Sequence, residues 1–206
     1  MEDKVSAADT RAQIVEAADR LFYERGFEAT TFGDIASATG LSRGNFYYHF
    51  RTKDEILDAV IELRLVNTSA MLASWERTSP LPADRIRSFI EILIENRTKI
   101  MGHGCPVGTL CAELSKLDHP AAAASTGLFG LFRDWLKLQF AALGRADAAD
   151  ALAMHALMRS QGVATLATAF KDEAFIRREV ADLKAWLDAQ APNLPEPPSL
   201  EERQCS

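Results

Sequence analysis

The chain has 206 residues, of which 48% are hydrophobic and 25% charged, as is typical of a folded globular protein and unlike a disordered one. Its net charge of −6 comes from 23 basic and 29 acidic residues, and by itself this acidity argues against a nucleic-acid partner. The uncharged stretch near the middle, residues 120–132, is shorter than the roughly 18 residues of a membrane span, so we expect no membrane segment.

The cysteines and the N-terminus indicate a reducing compartment. Three cysteines, Cys105, Cys111 and Cys205, are too few for a disulfide scaffold. Glu2 and Asp3 precede any apolar run, which is not the pattern of a secretory signal. We therefore expect a cytoplasmic protein.

Apolar residues recur at helical spacing through most of the chain, and no segment shows the alternation typical of strands. The first predicted helix begins at Thr10, which forms a candidate capping box with Gln13, and it ends at Gly26. The capping pattern recurs at Thr31–Asp34 and Thr52–Glu55. Further helices are predicted at about 83–101, 107–117, 121–143, 147–170 and 173–190, with breaks at prolines and glycines. The predicted fold class is all-α.

Residues 31–53 contain two short predicted helices joined by a tight turn. Gly40 permits a left-handed backbone conformation in the turn, and Ser42 is placed to cap the second helix. Leu41, Phe46 and Phe50 supply an apolar side that packs against the first helix. Two short helices joined by a turn containing glycine are the helix-turn-helix pattern.

Burial of that apolar side leaves polar and aromatic residues on the opposite side of the second helix. These are Arg43, Asn45, Tyr47, Tyr48 and His49. In a DNA groove an arginine pairs bidentately with guanine and an asparagine with adenine, whereas tyrosine and histidine bind phosphates. The alternative is that the aromatic residues of this helix are core residues only.

Local charge reverses the inference from net charge. Residues 1–60 carry 7 basic and 11 acidic side chains, a net charge of −4. Between Gly40 and Lys53, however, Arg43 and Arg51 accompany Lys53 and there is no acidic residue. Because the Debye length is about 8 Å at physiological ionic strength, more distant acidic groups are largely screened. The sequence therefore predicts a local basic surface that binds DNA.

The same region carries a specific series of short motifs. In chain order they are Gly26-Phe27, Thr30-Thr31, Ile35-Ala36, Gly40-Leu41-Ser42, Tyr47-Tyr48-His49-Phe50 and Lys53. In order and spacing this series resembles the N-terminal domain of the tetracycline-repressor (TetR) family of bacterial regulators. The resemblance implies an all-α homodimer, with a three-helix helix-turn-helix domain in residues 1–55 joined through a long helix to an effector-binding and dimerisation domain in residues 56–191. Residues 192–206 form a Pro-rich tail that we expect to be flexible.

The resemblance also implies site residues and partners. Carried over by position, the DNA contacts would be Thr31, Ser42, Arg43, Gly44, Asn45, Tyr47, Tyr48, His49 and Lys53. Residues 42–45 would lie nearest the bases, and Thr31, Tyr48, His49 and Lys53 mainly on phosphates. The implied partners are a double-stranded DNA operator, palindromic in a homodimeric repressor, and a small-molecule effector. We expect no cofactor and no metal ion.

Residues 104–115 indicate how the effector is sensed. The segment is similar to the Gly-Cys…Ala-Glu-Leu-Ser segment of the family branch that includes the electrophile-responsive repressor of N-ethylmaleimide reductase and acrylate-responsive regulators. Pro106 suits the first position of a helix, which puts Cys105 at the N-cap, where the helix dipole favours the reactive thiolate. We predict that Cys105 senses an electrophile or oxidant; the alternative is an ordinary half-buried cap residue. Cys111 points to another side and is expected in packing or a pocket wall, and Cys205 is an inert or resolving thiol of the tail.

A reversible, non-covalent apolar ligand is the competing prediction for the effector. The candidate pocket residues are His103, Cys111, Phe129, Phe132, Trp135, His155, Met158 and Gln161. Each is also explained as an ordinary core or surface residue. The resemblance implies that the last two long helices form the dimer face; the alternative is that they belong to the monomer core. The apolar residues concerned are Met154, Leu157, Leu166, Phe175, Leu183 and Trp186.

An enzymatic function has little support in the sequence. It contains no Walker or H-E-x-x-H motif, and its G-x-S-x-G match at residues 40–44 lies between two predicted helices, not in the strand-to-helix turn of a nucleophile elbow. We assign no catalytic residue. A thiol-dependent enzyme built on Cys105, with His103 as its base, is the remote alternative.

Overall fold

The computed structural model describes residues 7–190, which form ten α-helices and no strand, so the all-α prediction is confirmed. The helices are α1 (Ala7–Arg25), α2 (Phe32–Thr39), α3 (Arg43–His49), α4 (Lys53–Thr78), α5 (Pro82–Glu95), α6 (Arg97–His103), α7 (Pro106–Lys116), α8 (Ala122–Phe140), α9 (Ala149–Phe170) and α10 (Glu173–Asp188). An irregular turn over residues 141–148 links α8 to α9. None of the ten helices is long and apolar enough to cross a membrane. The predicted tail and Cys205 lie outside the described residues.

Local capping sets the ends of the helix-turn-helix. The Thr31 hydroxyl accepts from the Asp34 amide at 3.1 Å, and the Asp34 carboxylate accepts from the Thr31 amide at 2.8 Å, which is the predicted capping box. Ser42 and Thr52 cap α3 and α4, each by accepting from the amide three residues further along. Gly40 ends α2 with φ of 66°. These caps confirm the predicted turn.

Two predicted helices differ from those in the structure. The first helix is already formed at Ala7, and Thr10 is a buried residue within it, because alanines continue the helix and Asp9 favours its first turn. The predicted helix at 83–101 is divided into α5, which starts at Pro82, and α6. The break is at Asn96, whose ψ of 12° leaves the helical range and whose side-chain amide donates to a carbonyl of the preceding turn. α6 then continues to residue 103, where a loop was predicted.

The helices enclose two apolar cores. The first joins α1–α4 around residues such as Ile14, Phe46 and Ile56, and α7 adds Leu110 and Leu114 to it. The second core lies among α5, α6, α8, α9 and α10, and includes Ile90, Leu136, Phe140, Ala156, Ile176 and Leu183. The short helix α7 therefore packs against the N-terminal helices as well as against α8 of the predicted C-terminal domain.

Candidate nucleic-acid interface and ligand cavity

Helix α3 has one buried side and one exposed side. Phe46 is fully buried, and its ring meets that of Phe32 edge-on with centroids 4.9 Å apart, so it anchors α3 to α2. On the other side Arg43 and Asn45 are exposed, as are Tyr47 at 54% and Tyr48 at 78%. The two tyrosines are therefore not core residues, and the interpretation of all the aromatic residues as core is wrong for them.

The other predicted DNA contacts lie near this side of α3. Thr31 and Ser42 are exposed at the N-termini of α2 and α3, and nothing lies within 4 Å of the position that a Cβ would take at Gly44. His49 is partly buried, with its ring edge-on to that of Tyr48. These residues are thus exposed or partly exposed, and Thr31 and Ser42 at the same time cap α2 and α3.

Lys53 has contacts within the protein that sequence reasoning missed. Its Nζ donates to the Phe27 carbonyl at 2.9 Å and lies 4.1 Å from the centroid of the Phe27 ring. A cation over an aromatic face and a charge-assisted hydrogen bond both hold the ammonium in place. Lys53 therefore ties the start of α4 to the α1–α2 turn, and its contact with phosphate stays a prediction.

A cavity of about 610 Å³ lies between the N-terminal helices and the C-terminal bundle. Its walls are mainly apolar and include Met71, Phe89, Leu93, Phe129, Phe132 and Leu157. Polar side chains interrupt these walls at Tyr23, Arg64, Cys105, Ser160 and Gln161. Exposed polar residues surround its mouth, namely Arg20, Glu24, Glu95, Lys99 and His103. The volume and the mixture of apolar walls with a few polar groups suit a small organic molecule.

Some of the predicted pocket residues line this cavity and others do not. Those that line it are His103, Phe129, Phe132 and Gln161, together with Cys105. Cys111 instead donates to the Ser125 carbonyl at 3.2 Å, and burial raises the pKa of its thiol. Met158 is 60% exposed on the outside of α9. The difference arises because neighbouring positions on a helix point about 100° apart, so Met158 faces solvent while Leu157 faces the cavity.

Two further predicted pocket residues pack elsewhere in the bundle. Trp135 is buried between α8 and α4, where its indole N–H donates to Glu76 at 2.9 Å. His155 lies against Trp186 of α10, with ring centroids 4.6 Å apart. Helical spacing alone could not separate these positions from Phe129 and Phe132, because the rotation of each helix about its axis is set by its tertiary contacts.

Cys105 is the N-cap of α7, as predicted, and Pro106 occupies the first helical position. The Cys105 sulfur accepts from the Gly108 amide at 3.5 Å and from the Gln161 side-chain amide at 3.4 Å. A Cβ at Gly108 would lie 2.3 Å from the Gln161 carbonyl oxygen, so a side chain at this position would displace the Gln161 amide from its place beside the thiol. The result is a half-buried thiol in the cavity wall with two N–H groups directed at it.

The segment before α7 is tied to α1 and α4. The Tyr23 hydroxyl donates to the Gly104 carbonyl at 2.8 Å. Burial raises the pKa of Tyr23 to about 12, so the phenol keeps this proton at neutral pH. Arg64 donates to the Pro106 carbonyl and to the Asp19 carboxylate, each at 2.6 Å. The wall beside the thiol therefore consists partly of α1 and α4.

Glu113, two turns further along α7, also contacts the N-terminal domain. Its carboxylate oxygens accept from the Phe27 and Glu28 amides, each at 2.9 Å. Gly26 has φ of 94°, and a Cβ there would come within 3.0 Å of the carboxylate. This contact was not predicted from the sequence, because a single glutamate on a helix does not reveal a partner 86 residues away.

His103, the base proposed for a thiol-dependent enzyme, contacts Tyr23 in the described part of the chain. The His103 ring packs edge-on against Tyr23, with centroids 5.4 Å apart, and the hydrogen-bond donors to the Cys105 sulfur are Gly108 and Gln161. Within residues 7–190, no group of three or more His, Cys, Asp and Glu side chains could hold a metal ion.

Comparison with known proteins connects this architecture to a family. Residues 14–60 match the family model for bacterial regulatory proteins of the tetR family. The transcriptional regulator TtgR of Pseudomonas putida is 39% identical over 113 residues, which cover 50% of this chain and 53% of TtgR. The chain thus spans about half the length of this curated relative.

Solved structures extend the similarity to the C-terminal helices. SCO4454, a TetR-family transcriptional regulator from Streptomyces coelicolor, superposes with a TM-score of 0.78 at 20% identity, covering 90% of this chain and 97% of that one. The reduced form of E. coli NemR gives a TM-score of 0.72 at 18% identity, covering 86% and 96%. At these identities the likeness concerns the fold. The named relatives are regulators and not enzymes, in agreement with the sequence prediction. The N-terminal domain of the chain thus matches the tetR family of bacterial regulatory proteins, and its described helices share the fold of TetR-family regulators.

Proposed function

We propose that this protein is a homodimeric transcriptional repressor that a small molecule releases from a palindromic DNA operator. The observation that carries the proposal is the exposed side of α3, where Arg43, Asn45, Tyr47 and Tyr48 project from a helix anchored by Phe46. A helix of this kind enters the major groove, and two copies about 34–36 Å apart contact successive grooves of one operator.

Replacement of Arg43 with alanine tests the DNA contact. We expect Arg43→Ala to weaken operator binding by about 1–3 kcal/mol and to relax specificity at one base pair, since a bidentate arginine–guanine pair is lost. Fluorescence anisotropy on DNA upstream of the gene, with single base-pair changes, measures both effects. Arg77→Ala, at an exposed position in the last turn of α4, is the matched control. Unchanged affinity and base preference in Arg43→Ala would remove Arg43 from the interface.

An exposed apolar stripe on α9 supports the homodimer. Met154, Met158, Leu166 and Phe170, which we call the α9 stripe, are between 44% and 73% exposed. They follow one another at intervals of four or eight residues, so at about 100° per residue their directions spread over about 160° of the helix circumference. Several exposed apolar side chains on one helix indicate a protein–protein contact. Of the other residues predicted for this face, Leu157 and Leu183 are buried in the monomer core, and Phe175 and Trp186 are packed against it.

The cavity supports an apolar effector with at least one polar group. Its walls are mainly aromatic and aliphatic, while Ser160, Gln161 and Tyr23 offer hydrogen bonds. An electrophile that forms an adduct with Cys105 and a reversible ligand would occupy the same space. To shift a two-state equilibrium from 1:99 to 99:1 takes about 5.5 kcal/mol of differential binding. A covalent adduct supplies this without high equilibrium affinity, so we favour the electrophile.

Replacement of Cys105 with serine separates the two kinds of effector. Serine keeps an oxygen that can cap α7 but removes the thiol that adds across the double bond of N-ethylmaleimide. We expect N-ethylmaleimide to release the wild-type protein and Cys111→Ser from operator DNA, and to leave Cys105→Ser bound, as measured by anisotropy. Equal release of Cys105→Ser would eliminate thiol sensing and leave the reversible ligand.

A further inference from the structure

Contacts with the N-terminal domain and with α4 hold α7 near both of its ends. At its start, Tyr23 of α1 donates to the Gly104 carbonyl and Arg64 of α4 donates to the Pro106 carbonyl beside the cavity. In its last two turns, Glu113 holds the turn between α1 and α2. One short helix thus runs from the cavity wall to the domain that carries α3.

We propose that Glu113 is the positioning residue through which occupation of the cavity changes the arrangement of the DNA-binding helices. This inference rests on the proposed function, because it assumes that the cavity holds the effector. In the ligand-free protein the Glu113 carboxylate keeps the α1–α2 turn in the conformation that binds DNA. A ligand that displaces the start of α7 moves Glu113 and thereby the turn.

The contact is well suited to transmit a displacement. Phe27 and Glu28 follow Gly26, whose left-handed backbone directs their two successive amides at the same carboxylate, as in an anion-binding nest. Hydrogen bonds from amides to a carboxylate are short and strong compared with those between neutral groups. The absence of a side chain at Gly26 lets the carboxylate approach closely. Two bonds to a single carboxylate also fix its direction.

The α1–α2 turn leads directly into the DNA-binding helices. Thr30 closes the turn through hydrogen bonds from its amide to the Phe27 carbonyl, at 3.2 Å, and from its hydroxyl to the Gly26 carbonyl, at 2.7 Å. The next residue caps α2, and α2 contacts α3 through the ring pair of Phe32 and Phe46. A shift of the turn therefore repositions the start of α2 and, with it, α3.

Helix α7 is short enough to move as a unit. Glu113 lies eight residues after Cys105, which corresponds to about 12 Å along the helix axis. The cavity contacts Cys105, Pro106 and Val107 at the start of α7, as well as Tyr23 and Arg64, whose side chains hold this end in place. A ligand bound against this wall can thus displace the start of α7, which is the end of the helix that Tyr23 and Arg64 hold in place.

The decisive variant is Glu113→Gln, which keeps the size of the side chain but presents an N–H group to one of the two amides. Glu62→Gln, at an exposed position on α4, is the matched control. Both are made with Cys111 and Cys205 replaced by serine, so that Cys105 is the only thiol. Methyl methanethiosulfonate then serves as the probe: it converts the Cys105 thiol to a methyl disulfide and releases methanesulfinate.

Two measurements follow the effect of the probe at the far end of α7. Hydrogen–deuterium exchange reports on the amides of residues 26–31, and anisotropy reports on affinity for the upstream DNA. In the parent and in Glu62→Gln we expect modification to accelerate exchange and to lower DNA affinity, each about tenfold. In Glu113→Gln exchange is already fast, and modification changes neither quantity.

The proposal is overturned if modified Glu113→Gln loses as much DNA affinity as the modified parent, or if modification of the parent leaves exchange in the turn unchanged. A merely structural role for Glu113 would affect stability and basal affinity but would leave the response to the probe intact. Because the exchange measurement needs no DNA, the proposed function can fail separately. In that case no variant binds the upstream DNA, while the turn still responds to the probe through Glu113.

Discussion

Met158→Asp is expected to give a folded monomer with DNA affinity reduced by two to four orders of magnitude. Met158 lies in the α9 stripe and contributes nothing to the monomer core, so the monomer tolerates a carboxylate there. At a dimer interface the same carboxylate would be desolvated without a partner, at a cost of several kcal/mol. Loss of the second DNA-binding domain removes the bivalent contribution, which is about 10²–10⁴ in affinity. Sedimentation velocity and operator anisotropy measure the two effects.

The α8 surface offers a matched control for this substitution. Leu138 is as exposed as Met158, at 64%, but lies on α8 outside the α9 stripe. Leu138→Asp should therefore keep both the dimer and the affinity for DNA. If Met158→Asp forms a dimer at the same protein concentrations as the wild type, the α9 stripe is not the dimer interface.

The second large effect is expected from Phe46→Ala. Phe46 is fully buried where α3 meets α2, and truncation of such a phenylalanine leaves a cavity that costs about 3–5 kcal/mol. We expect the free energy of unfolding to fall by this amount and operator binding to be lost, because α3 no longer has a fixed orientation. Urea unfolding followed by circular dichroism measures the stability.

Tyr48→Ala distinguishes loss of the anchor from loss of a contact. Tyr48 is 78% exposed on the same helix, so its removal should change stability by less than about 0.5 kcal/mol and act on DNA affinity alone. If Phe46→Ala proved no less stable than Tyr48→Ala, Phe46 could not be the residue that fixes α3.

The helix-turn-helix and the start of α7 could be predicted because their geometry is local. A threonine followed three residues later by aspartate caps α2, Gly40 ends it, and Pro106 fixes Cys105 at the N-cap. Each of these features depends on a few neighbouring residues and on backbone stereochemistry. All the residues that determine such a pattern lie within one short stretch of the sequence.

The cavity could be predicted only in part because its walls come from helices far apart in the chain. Trp135 and Phe132 are both aromatic residues of α8, yet only Phe132 faces the cavity. The rotation of α8 is set by its packing against α4 and α9, which periodicity does not reveal. The contact of Glu113 with the α1–α2 turn and that of Lys53 with Phe27 have the same origin, since each joins residues that the sequence places far apart.

The residues on either side of the break at Asn96 bear on how a ligand enters. Glu95, the last residue of α5, and Lys99 of α6 are both exposed and both line the cavity. With Arg20 and Glu24 the mouth carries two basic and two acidic side chains. Their fields largely cancel, so the entrance neither attracts nor repels an ion from a distance. The ligand is then selected inside the cavity, by its fit against the aromatic walls. The rate at which it enters depends little on salt concentration.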